Sequence, residues 1–404
     1  MKKNFITYEE ALSVLKANTL FMKSVKIPLK KSGGMILDEH LIADRDFPPF
    51  NRVTMDGIAI NYKSYASGNK NYRVSGISPA GSPQKTLKNN NECLEVMTGS
   101  ILPVNSDTVI PYEDIVLKND KASLKKININ KNQNVHFKGM DRQSQSIIVK
   151  SGTQISSAEI NIAASIGKSK VFVKKMLKAI ILSSGDELVD IDKLPQPHQI
   201  RKSNVYGIQN TLKAWGVKSK LAHLPDNKLE IKNIISKLLN KFDFLIITGG
   251  VSKGKYDYLP EVLESINVEK HFHKIQQRPG KPFWFGTSKN NKKIFALPGN
   301  PVSSFVCLYA YIRYWLLESL NLKDSKFYVT LEKEVLFKPN LIYFLEAKIS
   351  NNPDGKTYAM PMHGNGSGDF SNLVEADGFL ILPQEKEVFL KGNIYPFIPY
   401  RSNI

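Results

Sequence analysis

Where the acidic residues fall is the first chemical clue in this sequence. Asp186-Glu187, Asp226 and Asp257 each come just after an apolar run with the character of a strand, so a sheet would gather their carboxylates along one rim. Hard oxygen ligands of that kind suit Mg²⁺ held against phosphates, whereas any one of them taken singly suits the capping of a following helix. Three loops of unusual composition share the rim. Thr248–Asp257 carries Gly249, Gly250 and Gly254, and glycines let backbone N–H groups approach a phosphate or a pterin closely. A glycine turn with no ligand would use the same residues. This is not a Walker loop, because the pair Gly254-Lys255 precedes Tyr256 rather than Ser or Thr, which disfavours kinase-type phosphoryl transfer. Gln277-Arg278-Pro279-Gly280-Lys281-Pro282 sets two cations at a constrained turn; Arg278 and Lys281 either clamp an oxyanion or stand solvated beside a bend. In Leu297-Pro298-Gly299-Asn300-Pro301-Val302-Ser303, Pro301 suits the first position of a helix. That puts free N–H groups and Ser303 on the ligand side, although Pro-Gly-Asn-Pro is also simply a good turn.

Such loops need a scaffold, and the rhythm of apolar residues supplies one. Ala179-Ile180-Ile181-Leu182, Phe244–Ile247 and Lys293–Leu297 read as buried strands, alternating with helical patterns at about 204–215, 229–240, 258–265 and 301–320. Alternating β and α predicts a mainly parallel, helix-covered sheet, whose ligands bind beyond the carboxyl ends of its strands. Upstream, Thr7-Tyr8-Glu9-Glu10 has the form of a capping box and opens a first helix over about 7–17. Between Asn61 and about Lys138 the chain turns to short β runs, Tyr72–Val74, Glu92–Met97, Thr108–Tyr112 and Lys126–Ile129, broken by Gly, Pro and Asn. Residues 157–174 read as a helix stopped by Gly167 and followed by the strand Val171-Phe172-Val173. The last 80 or so residues form strands again: Lys326–Lys333, Tyr343–Ile349, Thr357–Met362, Phe379–Pro383 and Val388–Ile394.

Composition narrows the function classes. At 404 residues the chain calls for two to four cores, given roughly 100–200 residues per domain, and 42% hydrophobic with 23% charged residues is an ordinary globular balance. The apolar runs are far shorter than the ~20 residues that span a bilayer, and Glu9 and Glu10 interrupt any leader-like start, so neither membrane nor secretion is expected. Cys93 and Cys307 alone provide no disulfide framework or zinc pattern, which fits a reducing cytoplasm. The formal charge of +19 is spread over scattered lysines and makes no DNA-binding motif. It fits either a lysine-rich solvated surface or the steering of an anionic small molecule, and nucleic-acid binding is not expected.

The loops, in this order, resemble those of the MoeA/gephyrin E-domain family over nearly the whole chain. Pro48-Pro49-Phe50-Asn51-Arg52-Val53-Thr54-Met55-Asp56-Gly57-Ile58-Ala59 is similar to the family's Pro-x-Phe…Met-Asp-Gly-Tyr-Ala segment, Met97-Thr98-Gly99-Ser100 to its Met-Thr-Gly-Ala turn and Gly139-Met140-Asp141 to its Gly-Glu-Asp. Ser184–Leu188, Gly249–Ser252 with Asp257, Pro279–Pro282, Leu297–Pro301 and Asn365–Gly368 continue the series. Departures are Arg278 for the usual Lys, Val53 for the frequent Ser, and Glu346 where a Phe-x-Arg pattern would place an arginine. The resemblance implies a multidomain α/β plus β fold: an elongated linker domain (1–50 with 139–175), an inserted β domain (51–138), a three-layer molybdopterin-binding α/β domain (176–323) and a C-terminal β domain (324–404). It further implies a cytoplasmic homodimer that places molybdate on the dithiolene of adenylyl-molybdopterin and releases AMP, aided by Mg²⁺. Expected partners are a molybdopterin adenylyltransferase and molybdoenzyme apoproteins or their chaperones. Asp56, Thr98 and Asp141 would act across the dimer interface, Glu187, Asp226 and Asp257 would bind the metal, and Gly249, Gly250, Ser252, Arg278, Lys281, Pro298, Asn300, Pro301, Ser303 and Ser367 would hold substrate. Two other readings are a pterin adenylyltransferase, which lacks three of these domains, and a non-catalytic molybdopterin-binding paralogue or gephyrin-like scaffold.

Overall fold

The structure, a computed structural model, describes residues 5–125, 128–251, 258–364, 366 and 368–401. It contains two compact units, Lys26–Val173 and the combination of Met1–Val25 with Lys174–Ile404.

The first unit is built on a six-stranded sheet in the order Thr108–Pro111, Gly57–Ile60, Glu92–Val96, Asn71–Ser78, Lys121–Leu124, Ile115–Lys118. Successive side chains of a strand point to opposite faces, and here both faces are covered. Ile58 and Ile60 join Tyr72, Cys93 and Ile110 on one side, while Ala59 joins Val53, Val96 and Val109 on the other. That is why Gly57–Ile60 is buried along its whole length. The strand expected over Lys126–Ile129 falls partly on residues outside the described set; the strand pairing there is Lys121–Leu124, turned from Ile115–Lys118 through Asn119 and Asp120 at φ 50° and 55°. Positive φ at both central residues is what a tight hairpin needs and what Asn and Asp tolerate. The helix Ser157–Ser165 has the reciprocal Ser156–Glu159 capping box and ends before Gly167 at φ 74°.

The second unit opens with α1 (Tyr8–Ala17), whose Thr7–Glu10 capping box forms as the sequence requires. Its α/β part runs β1 (Lys178–Ser184), α2 (Asn204–Ala214), β2 (Lys218–Leu224), α3 (Lys228–Leu239), β3 (Phe244–Thr248), α4 (Leu259–Ser265), β4 (Glu269–Phe272), β5 (Trp284–Thr287), β6 (Lys293–Leu297) and α5 (Pro301–Cys307). A π-helical turn, Leu308–Ile312, joins α5 to α6 (Arg313–Leu320). The sheet order is β2-β1-β3-β6-β5-β4, with β2, β1, β3 and β6 parallel and the last two antiparallel. Ile231, Ile235 and Leu239 of α3 and Val262 and Leu263 of α4 pack with Ile180, Leu182, Leu245 and Ile247 of the sheet. On its opposite face Phe244 and Phe295 meet Trp315 of α6 edge to face. Helices on both faces bury both sides of the strands, so β3 and β6 read as continuous apolar runs rather than alternating ones.

After this come β7 (Phe327–Leu331), β8 (Ile342–Asn351), β9 (Thr357–Pro361), β10 (Gly378–Leu382) and β11 (Ile394–Pro399). The pairings β8–β9, β9–β7, β7–β11, β11–β10 and β10–β8 return to their start, a closed barrel with no free edge. Val388–Ile394, expected as one strand, is broken: Val388-Phe389 pairs with Val335-Leu336, the chain turns at Gly392 with φ 86°, and β11 begins at Ile394.

Candidate active site

The parallel strands end along one rim, and the loops that leave it are held in place by backbone requirements. Past β1, Gly185 adopts φ 131°, and a Cβ on it would collide with the Glu187 carboxylate, which folds back over the turn. Past β3, Gly249 and Gly250 adopt φ 93° and 70°, and a Cβ on Gly249 would lie 2.7 Å from the Ser184 carbonyl oxygen. The glycine-rich loop is thus drawn against the end of β1 more closely than any side chain permits. Past β2, the Asp226 N–H donates to the Asp186 carboxylate (3.2 Å) and the Asp186 N–H to that of Asp226 (3.3 Å), tying two carboxylate-bearing loops together. A cavity of about 470 Å³ opens above this rim, lined among others by Glu187, Asp226, Gly249, Gly250, Pro298 and Asn300.

A second cavity of about 520 Å³ lies between the Gln277–Pro282 loop, the start of α5 and strand β8. Arg278, Lys281 and Ser303 line it together with Tyr343 and Glu346. Pro282, Pro298 and Asn300 line both cavities, so the two adjoin. The cationic loop rests on a buried polar group, Gln277, 1% exposed. Its Nε2 donates to the Pro279 carbonyl at 2.8 Å and its Oε1 accepts from the Tyr311 hydroxyl. Burial of that hydroxyl pushes its pKa well up, so it stays a donor.

Most of the expected site residues are therefore brought together: Glu187, Asp226, Gly249, Gly250, Pro298, Asn300 and Pro301 at the first cavity, Arg278, Lys281 and Ser303 at the second. Ser252, Asp257 and Ser367 lie outside the described residues. Asp56, Thr98 and Asp141 belong to the other unit. There the Thr98 N–H and hydroxyl both donate to Asp56 Oδ1, at 2.6 and 2.8 Å, and these bonds hold the Asp56 carboxyl below its ordinary range, the backbone bond first. Asp141 Oδ1 accepts from His136 Nε2 at 2.9 Å, and His136 Nδ1 lies 3.1 Å from the Arg52 guanidinium. An imidazole whose Nδ1 accepts must carry its proton on Nε2, so the chain of contacts aims a donor at Asp141.

Sequence reasoning missed Asn204, whose Nδ2 donates to the Gly299 carbonyl (2.7 Å) and lies 3.3 Å from Thr248 Oγ1, clamping the ends of β3 and β6 to the start of α2. Its signal was a polar residue opening the first helix after the first strand, on the same rim as the loops. Arg201, Lys202 and Ser203, which also line the first cavity, precede it directly.

Residues 6–167 match the family described as the MoeA N-terminal region (domain I and II), residues 180–318 a probable molybdopterin binding domain, and residues 328–400 the MoeA C-terminal region (domain IV). A molybdopterin molybdenumtransferase of Synechocystis sp. is 38% identical over 399 residues, covering 97% of this chain and 99% of that protein. The chain belongs to the MoeA family. One of Staphylococcus epidermidis is 28% identical, covering all of this chain and 97% of its own. Among solved structures, the molybdopterin biosynthesis moeA protein of a Pyrococcus species has 26% identity and a TM-score of 0.84, covering 98% of this chain and 100% of its own. Of the motifs matched in the sequence, Ser184–Leu188 and Gly249-Gly250 lie at the first cavity, Pro279–Pro282 at the second, and Leu297–Pro301 contributes to both; Glu346 lines the second. Among the described residues no helix is long and apolar enough to cross a membrane.

Proposed function

We propose that this chain is a molybdenum insertase of molybdenum cofactor biosynthesis, transferring molybdate to the dithiolene of adenylyl-molybdopterin with release of AMP. The observation that carries the reading is the pair of adjoining cavities, one with carboxylates and glycine backbone, the other with two cations and a serine, with Pro282, Pro298 and Asn300 lining both. A substrate with a pyrophosphate link at one end and a dithiolene that must meet an oxyanion at the other needs both.

At the first cavity Gly249 gives its N–H to the Leu297 carbonyl (3.1 Å), and the Gly250 backbone beside it lines the space that a phosphate would enter. The carboxylates suit Mg²⁺, which is commonly held by one or two carboxylates and otherwise by water and phosphate. Two of the three expected ligands, Glu187 and Asp226, line one cavity from adjacent loops; Asp257 would complete the set. Held there, Mg²⁺ would supply a Lewis acid to the pyrophosphate link. Glu187 and Asp226 orient the attacking water, whose oxygen forms the new P–O bond as the anhydride P–O bond breaks and AMP leaves. At the second cavity Arg278 and Lys281 supply charge and Ser303 a hydroxyl donor to a tetrahedral dianion. Donors preorganised on a constrained loop hold such an ion where free side chains would lose to water.

The active unit in this reading is a cytoplasmic homodimer in which Asp56, Thr98 and Asp141 of one subunit complete the site of the other. It is divided as 1–50 with 139–175, 51–138, 176–323 and 324–404, receives substrate from a molybdopterin adenylyltransferase, and passes product to molybdoenzyme apoproteins or their chaperones. The deciding experiment is AMP release from adenylyl-molybdopterin with Mg²⁺, with and without molybdate, in wild type, Glu187→Gln and Asp257→Asn. Molybdate-dependent release by wild type that both variants lose supports the reading. Tight binding with no release refutes it in favour of a cofactor-binding scaffold.

A further inference from the structure

The second cavity holds a carboxyl group that this reading leaves without a task. Glu346 sits on β8, is 8% exposed, and lines the cavity with Arg278, Lys281, Ser303 and Tyr343. Its backbone carbonyl accepts from the Met362 N–H at 2.8 Å, which fixes the strand beneath it. Among the described residues its carboxyl forms no ion pair, although two cations line the same space. The titratable groups around it are Tyr343 on its own strand, Asp369 beyond β9, Tyr400 beyond β11, and Arg278 and Lys281 on the loop; His363, in the turn after β9, is exposed. Burial pushes the Glu346 pKa up, a bond from its own backbone N–H offsets part of this, and the Asp369 carboxylate adds to the rise.

An ionised carboxylate on the wall of an oxyanion pocket repels the ion it should admit, and it can donate no hydrogen bond. Protonated, the same group loses its charge and gains an O–H donor. We propose that Glu346 couples oxyanion binding to proton uptake: a tetrahedral dianion enters the cavity together with one proton, which comes to rest on the Glu346 carboxyl and is donated as a hydrogen bond to an oxyanion oxygen. The two cations then balance the dianion, with the glutamic acid neutral; with Glu346 ionised the pocket would carry a surplus negative charge. The inference rests on the reading of Arg278, Lys281 and Ser303 as the oxyanion clamp.

The test is equilibrium dialysis of molybdate against the full chain, as wild type, Glu346→Gln and Arg278→Ala, from about pH 6.5 to about pH 8.5. Above the pKa of Glu346, wild-type affinity falls by up to about tenfold per pH unit, the limit for one coupled proton. Glu346→Gln keeps an N–H donor but cannot titrate, so its affinity stays flat with pH. Arg278→Ala binds more weakly throughout and keeps the wild-type slope. Calorimetry of wild type in two buffers of different ionisation heat reads the same proton directly. Wild-type affinity that does not change with pH, or a Glu346→Gln variant that retains the wild-type slope, overturns this inference and leaves the oxyanion clamp standing. Binding undiminished in Arg278→Ala, or no molybdate bound by wild type, overturns both.

Discussion

Alanine at Gly249 separates a glycine that geometry demands from glycines that merely occur in a loop. Gly249 sits at φ 93°, in the half of conformational space that costs an L-residue about 1–2 kcal/mol. The added methyl would also stand 2.7 Å from the Ser184 carbonyl oxygen, a backbone atom that cannot rotate away. Relieving that overlap by backbone shifts costs a further ~1–3 kcal/mol, so Gly249→Ala destabilises by roughly 2–5 kcal/mol. Gly250 supplies the first comparison: its φ of 70° carries the backbone cost, but the nearest atom to a new Cβ is the Ser184 hydroxyl at 3.3 Å, which can turn aside, leaving about 1–2 kcal/mol. Gly299 supplies the second, with no positive φ and nothing nearer than 3.7 Å, so alanine there costs within about 0.5 kcal/mol. All three tryptophans, Trp215, Trp284 and Trp315, lie in the unit that holds this loop, so a thermal melt followed by tryptophan fluorescence reads that unit alone. At about 2–4 °C per kcal/mol for a domain of this size, Gly249→Ala should lower its midpoint by roughly 4–20 °C, Gly250→Ala by less, and Gly299→Ala hardly at all. Equal midpoints for the Gly249 and Gly299 variants would refute the claim that the loop is pinned against β1.

Other perturbations test the remaining parts. Thr98→Val removes the hydroxyl bond that helps keep Asp56 ionised; a depressed carboxyl pKa that relaxes upward should carry the acid limb of AMP release to higher pH, and an unmoved limb would show that Asp56 need not be ionised. Gln277→Leu leaves the Pro279 carbonyl and the buried Tyr311 hydroxyl without their partner, at about 1–3 kcal/mol. As the loop bearing Arg278 and Lys281 loosens, the molybdate concentration for half-maximal AMP release should rise more than the maximal rate falls, and a pure rate effect would count against the support role. Lys293 is 1% exposed, donates to Asn291 Oδ1 at 2.7 Å, and is drawn down by burial to about 8. Because the folded state disfavours its charged form, wild-type stability should fall as pH drops from about 10.5 through about 8, a linked loss of order 3 kcal/mol. Lys293→Met should abolish that slope and be more stable at neutral pH, which urea titrations across the range would check.

The parts of this fold visible in the sequence are those set by short-range physics. Thr7–Glu10 formed the box its spacing dictates, and the apolar runs of β1, β3 and β6 became parallel strands because nothing but a helix-covered sheet buries them on both sides. The rim followed from that, since Glu187, Asp226, Gly249 and Pro298 leave neighbouring strand ends. What depended on distant partners was harder to see. Val388–Ile394 has strand composition throughout, yet Gly392 turns the chain so that its two ends pair with different strands. Closure of the barrel through β8 and β10 leaves no local trace. Asn204 was hidden for the same reason, as its task is set by Gly299 and Thr248, far along the chain.

Carboxylates of the first cavity and cations of the second are kept from pairing with one another, and that arrangement argues for function. Elsewhere in this unit lysines meet carboxylates readily: Lys202, on the wall of the first cavity, pairs with Asp190 at 2.9 Å, and Lys228 pairs with Glu261 at 2.7 Å. Glu187 and Asp226 on one side, and Arg278 and Lys281 on the other, form no ion pair among the described residues. They lie in adjoining spaces and are of opposite sign, so flexible loops would let them collapse onto one another. Pro279, Gly280 and Pro282 fix one loop, the reciprocal Asp186–Asp226 bonds and the Gly249 contact fix the others, and Pro298 and Asn300 stand between. Holding them apart is what a site needs when its substrate brings its own charges to both.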